Sequence, residues 1–471
     1  MDDFDAVSWR SPPMAHDGTD DDGSEFSGPT SSEPPVFAHP EEPQAGPNAD
    51  AIDLAGVGQG RLLTTVSCPM TVNDGTKDAF VSYLVTTETD FPTFEKPRVG
   101  VRRRFTDFLY LWRELCKEFP ASAVPPLPDK HKMEYVRGDR FGPDFTQRRA
   151  RSLHRFLKRL TLHPELRKTT LLTIFLESSE WNAYMRLRPA KSASNMDGGV
   201  FEGLTDTFLN AFSKIHKPDR RFIEVREQAD KLDEDLGHIE KIIARVVRRE
   251  ADLEVDYADL AAQFKKLEVI EPHVADAIHA FAVGVEDTSA GLKKLKEHID
   301  QDYLGSLRDM EAYIIALKQL LKAREQKQLD FEGLKDYLGK AEYEKDQLTN
   351  PHSTTFSGGG ASAFLQRKIE DVRGVDHEQA RRDKQRKLEL RIEALTAGAD
   401  EAQKETEAFD GQVVREVADF ERIKTIEFRD TLGDLAKANV EFYRSMVKTW
   451  EGMLKHVEER YPDQPTNRSP T

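Results

Sequence analysis

Across residues 222–457 apolar side chains recur at alternating spacings of three and four, a period that only an α-helix can turn into a continuous face. In the first stretch Phe222, Val225, Ala229, Leu232, Leu236, Ile239, Ile243, Val246, Leu253, Tyr257, Leu260, Phe264 and Leu267 follow it, with Glu250 the one polar residue on the seam. Pro272 then ends the run, because proline removes a backbone donor and clashes with the preceding turn. A second stretch begins at Val274 and carries Ile278, Phe281, Val285, Leu292, Leu295, Ile299, Tyr303, Leu307, Met310, Ile314, Leu317 and Leu321 towards Leu348. Successive steps of four around Tyr303 mark a stutter, which locally unwinds a left-handed supercoil. Asn350-Pro351 and Ser357-Gly-Gly-Gly360 break the chain again, and a third stretch over about 363–460 ends with Phe428, Leu432, Leu435, Phe442, Met446, Trp450, Met453 and Val457. Long helices joined by short breaks pair antiparallel, so 217–461 predicts an elongated all-α bundle rather than an extended two-stranded coil. Its longest rod spans about 110 Å at 1.5 Å per residue.

Such a bundle exposes much of its surface, which explains a charged fraction of 32% and a mean hydropathy of -0.63. The net charge of -16 is unevenly placed. Residues 1–60 hold 13 Asp/Glu against one Lys/Arg, residues 61–184 hold 21 basic against 15 acidic, and the remainder holds 46 basic against 56 acidic. The first segment is rich in Asp, Pro, Gly and Ser and is expected to be a disordered acidic tail; residues 462–471 are expected to be a second one. Gly56-x-Gly58-x-Gly60 follows no strand and reads as linker. The basic middle suits an anionic lipid surface or nucleic acid. No aromatic stacking platform accompanies its arginines, which argues against single-stranded nucleic acid.

That middle segment, 61–185, has a different period. Leu62–Val72 and Ala79–Thr89 are rich in Val, Thr, Leu and Tyr and flank the turn signal Asn73-Asp74-Gly75, which predicts a β-hairpin. A third strand is expected over Arg98–Phe105. One helix is expected over Thr106–Phe119, with two more near Asp144–Leu162 and Lys168–Met185. Three strands followed by helices make an α+β unit. Val124-Pro-Pro-Leu-Pro-Asp-Lys130 must run extended. His163, before Pro164, is placed at a helix end. The two cysteines, Cys68 and Cys116, form no framework and have no metal-ligand spacing, which suits a reducing compartment. No apolar run approaches the ~20 residues of a membrane span, and the acidic start does not look like a signal peptide.

Between the two modules lie a polar linker, 186–199, and an amphipathic stretch, 200–216. Phe201, Leu204, Phe208 and Phe212 share one face there. That face either packs against the coil or inserts shallowly into lipid; its polar side lacks the Lys/Arg stripe common in interfacial helices.

Three segments carry the chemistry: Val101-Arg-Arg-Arg-Phe-Thr-Asp-Phe108, Pro125-Pro-Leu-Pro-Asp-Lys130 and Gln147-Arg-Arg-Ala-Arg-Ser-Leu-His-Arg-Phe-Leu157. An inositol phosphate needs planar bidentate donors for its phosphates, which arginine supplies, and a flat apolar surface beneath its ring. In this order the segments resemble the PX domain of the PX-BAR sorting nexins, whose fold is a three-stranded sheet with helices followed by a BAR helical bundle. Pro143-Asp-Phe-Thr-Gln-Arg-Arg149 and Phe175-Leu-Glu-Ser-Ser-Glu-Trp181 look like the sorting nexin-4 class, called autophagy-related protein 24 in fungi.

The resemblance implies a pocket for phosphatidylinositol 3-phosphate. Arg104 would meet the 3-phosphate, Phe105 (where many relatives have tyrosine) would lie under the ring, Lys130 would meet the 1-phosphate, and Arg149 would bond the inositol hydroxyls. Arg148 and Arg151 are close enough to exchange with Arg149, and Arg102 and Arg103 are expected to form a basic rim. Met133 and Tyr135 are candidates for lipid penetration. It further implies no catalysis and no cofactor, a dimer with itself or another PX-BAR nexin, and a cytoplasmic protein peripheral on endosomal and preautophagosomal membrane. Cargo such as SNAREs and the autophagy machinery would be its partners. Arg245, Arg248, Arg249, Arg381, Arg382, Lys384, Arg386 and Lys387 are either lipid contacts of the bundle or a solvated face. No phosphate-binding Gly-rich loop, nucleophile elbow, His-Glu-x-x-His or Cys/His cluster occurs. The other reading is a PX scaffold that tethers without bending membrane.

Overall fold

A computed structural model describes residues 60–74, 76–128, 141–187, 218–349 and 377–460. The tails, Lys130, Met133, Tyr135, most of the polar linker, the amphipathic stretch with Phe201, Leu204, Phe208 and Phe212, and the Gly358–Gly360 break lie outside the described residues.

The N-terminal module is the expected three-stranded sheet with helices. Strands β1 (Leu62–Val72), β2 (Phe80–Thr89) and β3 (Arg98–Arg104) form an antiparallel sheet in the order β1-β2-β3. Asn73 turns the hairpin in the left-handed region, at φ 57°, as its short polar side chain permits. A bulge between Ser67 and Met70, with Cys68 at φ 46°, shifts the β1–β2 register. Val66 pairs with Val85, and Val85 with Val101, so these three carry the sheet's buried face.

Helix α1 (Phe105–Glu118) follows β3 without a loop. Asp107 accepts from the Arg104 amide at 2.9 Å, and this bond tightens the strand-to-helix corner. Helix α2 (Pro143–Leu162) opens on a proline, whose missing N–H costs nothing in a first turn. It lays Leu153, Phe156 and Leu157 on the sheet side, where they join Tyr83, Phe108 and Leu111 in one core.

The sequence predicts a single helix over Lys168–Met185. The structure has a 3₁₀ turn (Leu166–Lys168), α3 (Thr170–Glu177) and α4 (Trp181–Leu187), with a break at Ser178–Glu180. Arg103 is the reason. Its side chain is buried, and it donates to the Phe175 carbonyl at 2.7 and 2.9 Å and to that of Ser178 at 2.5 Å. These are the carbonyls that a helix end leaves unpaired, so the guanidinium terminates α3. The expected basic rim is therefore wrong for Arg103, which lies 5.3 and 5.5 Å from the Phe175 and Trp181 rings. Burial pushes its pKa down to about 10, against the pull of Asp107. Arg102 remains exposed but is held by the Cys68 and Ser82 carbonyls.

The second module is the expected long antiparallel bundle. Helix α5 (Arg220–Ile270) stops before Pro272 and reverses into α6 (Ala275–His298). A π turn, Ile299–Tyr303, joins α6 to α7 (Leu304–Thr349), where the sequence placed its stutter. Helix α8 (His377–Arg460) returns along both. Lys384 bonds Glu344 at its start, and Arg460 bonds Asp276 at its end. The seam residues Leu307, Met310, Ile314, Leu317 and Leu321 are all buried, with Phe409, Val413, Phe420 and Ile423 of α8 facing them.

Candidate functional site

Three of the four residues expected to hold the headgroup line one cavity of about 310 Å³. Arg104 and Phe105 come from the β3–α1 corner and Arg149 from the second turn of α2, while Phe80, Tyr83 and Phe141 complete the wall. The fourth, Lys130, lies outside the described residues.

Each side chain is placed by local structure. Arg104 caps α1 and leans on the buried Asp107 carboxylate at 3.2 Å, which limits its rotamers while leaving the guanidinium exposed. Its Cζ lies 5.9 Å from the Phe80 ring. Phe105 is half-buried against the sheet–helix core, so one face of the ring is supported from below. The Arg149 guanidinium stacks at 4.7 Å from Phe105 and 4.1 Å from Phe145, near enough for cation–π attraction. Burial raises the Tyr83 phenol above its ordinary value, and the positive charge of Arg149 pulls it back. A pocket with two guanidinium groups beside an aromatic floor can receive an anionic ring compound.

Sequence reasoning missed Phe80, Tyr83 and Phe141 as wall residues. Phe80 and Tyr83 read only as strand residues, since nothing in a strand's period says which pair borders a cavity. Asp107 was missed as well, although Arg104-Phe-Thr-Asp107 has the spacing of a helix N-cap and its N3 carboxylate, a signal that could have found it.

The neighbours of Arg149 are committed elsewhere. On the face of α2 turned from the sheet, Arg148 pairs with Asp300 at 2.7 Å and Arg151 with Asp302 at 3.2 Å and with Gln301. Arg155 pairs with Asp309 at 2.6 Å and Lys158 with Asp430 at 2.6 Å. Arg159 forks onto both oxygens of Glu427 at 2.7 Å and also donates to the Asp309 carbonyl. Beyond the helix end, buried His163 meets Glu416 at 2.9 Å. The basic face of α2 therefore joins the two modules, and of Arg148, Arg149 and Arg151 it is Arg149 that lines the cavity.

Burial opposes the charge on Glu427, but Arg159 outweighs it and holds the carboxyl below its usual range. Burial pushes His154 the other way, down to about 4, with Lys158 and Arg155 adding to the effect.

Of the rod cations expected near lipid, Arg381 donates to the Leu348 carbonyl and Arg249 lies 4.0 Å from Asp252; both are exposed. No helix among the described residues is long and apolar enough to cross a membrane, and no described cluster of His, Cys, Asp and Glu could hold a metal ion.

Comparison with known proteins follows the same division. The family model "PX domain" matches residues 91–179, from just after β2 into the break that follows α3. The chain is 58% identical over 482 residues to sorting nexin-4 of Emericella nidulans, covering 97% of each chain. It is 58% identical over 473 residues to sorting nexin-4 of Aspergillus fumigatus, covering 97% of this chain and 95% of that one. Identity to the sorting nexin-4 of Cryptococcus neoformans is 36% over 387 residues, 82% of this chain and 78% of that one. Among solved structures, the cryo-electron microscopy structure of the SNX-BAR Mvp1 tetramer superposes with a TM-score of 0.53 at 17% identity. That superposition covers 83% of this chain and 99% of the other, a likeness of fold.

Proposed function

The chain belongs to the sorting nexin-4 family, PX-domain proteins of the membrane-associated sorting nexins, and we propose that it binds phosphatidylinositol 3-phosphate on endosomal membrane as a dimer, without catalysis or cofactor. The observation that carries this is the convergence of Arg104, Phe105 and Arg149 on one cavity. In this reading Arg104 grips the 3-phosphate, Phe105 lies beneath the inositol ring, Arg149 bonds its hydroxyls, and Lys130 reaches the 1-phosphate. Phe201, Leu204, Phe208 and Phe212 insert shallowly into the same membrane.

Dimerisation is supported by an apolar stripe that the described residues of one chain leave partly exposed. Ile239, Val246, Leu253, Leu260 and Leu267 recur every seventh residue on α5, and each is 38–43% exposed. Val440, Val447 and Leu454 form a similar stripe on α8. A heptad stripe of this kind suits the same stripe on a second copy or on another PX-BAR nexin, and two pockets on one dimer bind a membrane more tightly than one. The cellular role that accompanies this family reading is retrieval of cargo such as SNAREs from endosomes, and selective autophagy with its machinery at preautophagosomal membrane.

Flotation with vesicles that differ only in phosphoinositide tests the pocket. Arg104→Ala is expected to lower binding to 3-phosphate vesicles by at least about tenfold, the scale of one charge-assisted bidentate contact. Undiminished binding, or indifference of the wild type to the 3-phosphate, would remove the reading. A second reading, a tether that binds without bending membrane, is favoured by the acidic balance of residues 185–471, with 56 Asp/Glu against 46 Lys/Arg. It predicts bound but untubulated vesicles. A remodelling module predicts tubules that disappear when Phe208 and Phe212 become polar.

A further inference from the structure

Helix α2 carries six cations within three turns: Arg148, Arg149, Arg151, Arg155, Lys158 and Arg159. Five of them meet a carboxylate of the rod, whereas Arg149 lies on the pocket side, over Phe105. These pairs are not equivalent. Arg159 and Glu427 are 2% and 9% exposed, so their forked contact holds the modules together. Arg148 and Asp300 are 40% and 20% exposed, and Arg151 and Asp302 are 38% and 34% exposed. Ion pairs this wet contribute little to stability, because solvent screens them and ordering two long side chains offsets the gain. What they do well is cancel charge. They do so at the pocket end of α2, within one turn of Arg149.

The π turn makes the cancellation possible. Successive side chains of an α-helix point about 100° apart, so three in a row do not share a face. Asp300, Gln301 and Asp302 nevertheless all reach α2, from the wider turn at Ile299–Tyr303.

Building on the pocket reading above, we propose that Asp300 and Asp302 are specificity-determining residues: they mask Arg148 and Arg151, so that of the cations at this end of α2 only Arg149 is offered to a lipid headgroup. Without the mask, two further guanidinium groups would stand uncompensated on α2, one residue before Arg149 and two residues after it. They would attract any polyanionic headgroup or acidic leaflet, whatever the position of its phosphates. The rod thus does more than carry the lipid-binding module; it removes charge that would make the module indiscriminate.

The test uses the full chain and three kinds of vesicle, carrying phosphatidylinositol 3-phosphate, phosphatidylinositol 4,5-bisphosphate or phosphatidylserine. Asp300→Asn with Asp302→Asn is expected to keep 3-phosphate binding and to raise binding to the other two by about thirtyfold, the scale of two added cations near an anionic leaflet. The gain should persist when Arg104→Ala silences the pocket, and vanish when Arg148→Ala and Arg151→Ala are added. Asp302 also holds His298 at 3.0 Å. Asp300→Asn alone, which releases Arg148, is therefore the second variant, with a gain of about fivefold. No gain in either variant, or a gain that survives loss of Arg148 and Arg151, overturns the mask. Failure of the pocket reading shows separately, as a wild type blind to the 3-phosphate.

Discussion

The two modules bury their apolar residues by different means. In the PX module Phe108, Leu111, Leu153, Leu157 and Phe175 are wholly buried, with Phe108 and Phe175 edge-to-face at 5.0 Å. Sheet and helices close around them from all sides, and one chain suffices. In the rod the inner seam is equally well covered, from Leu307 to Leu321, but α5 and α8 each carry a second stripe that the described residues leave partly exposed. A three-helix bundle has too little cross-section to enclose two apolar faces of one helix. A globular core can be completed by one chain, whereas a rod with two-sided helices leaves an apolar stripe open to solvent or to a partner.

The largest effect should come from the closed core. Phe108→Ala removes a ring packed on two aromatic neighbours and is expected to cost about 3–5 kcal/mol, read as a lower denaturation midpoint of the full chain. A loss below about 1 kcal/mol would mean that the core is not the closed unit described. Next comes the joint. Glu427→Gln leaves Arg159 buried without its counter-charge and is expected to cost about 3 kcal/mol, with faster proteolysis between the modules. Leu253→Ser with Leu260→Ser should leave the melting of the PX module unchanged and weaken self-association by about 100-fold, measured by sedimentation. Should the double variant unfold the single chain instead, the stripe belongs to the inside of the fold and the contrast fails.

The smallest effect is a pH dependence of the joint. In the unfolded chain His154 takes up its proton near 6.5, and in the folded chain only near 4. The unfolded state therefore binds more protons between those values, and stability falls as pH drops from about 6.5 to about 4. With its partial exposure discounted, the loss attributable to His154 is about 2 kcal/mol, and His154→Gln should flatten the profile over that window. Glu427, held below its ordinary 4.5, adds a further loss at still lower pH, as the carboxylate that pairs Arg159 is protonated.

The pocket was legible in sequence because it rests on local geometry. Arg104 and Phe105 sit at one corner, where spacing along the chain is spacing in space. Arg103 was misread for the opposite reason. Strand alternation turns its side chain inward, but its partners, the carbonyls of Phe175 and Ser178, are more than 70 residues away. The break in the expected Lys168–Met185 helix was hidden by the same long-range contact.

The chain alone determined its periods: alternation for the sheet, heptads for the rod, proline and glycine at the breaks, and a stutter where the π turn lies. These are short-range properties, set by which backbone conformations neighbouring residues share. Only the tertiary structure decided which apolar stripes face inward, and which of the six cations of α2 looks into the pocket. Period assigns residues to faces, but the element packed on a face decides what that face does. The acids that separate Arg149 from Arg148 and Arg151 lie some 150 residues downstream, brought there by the fold.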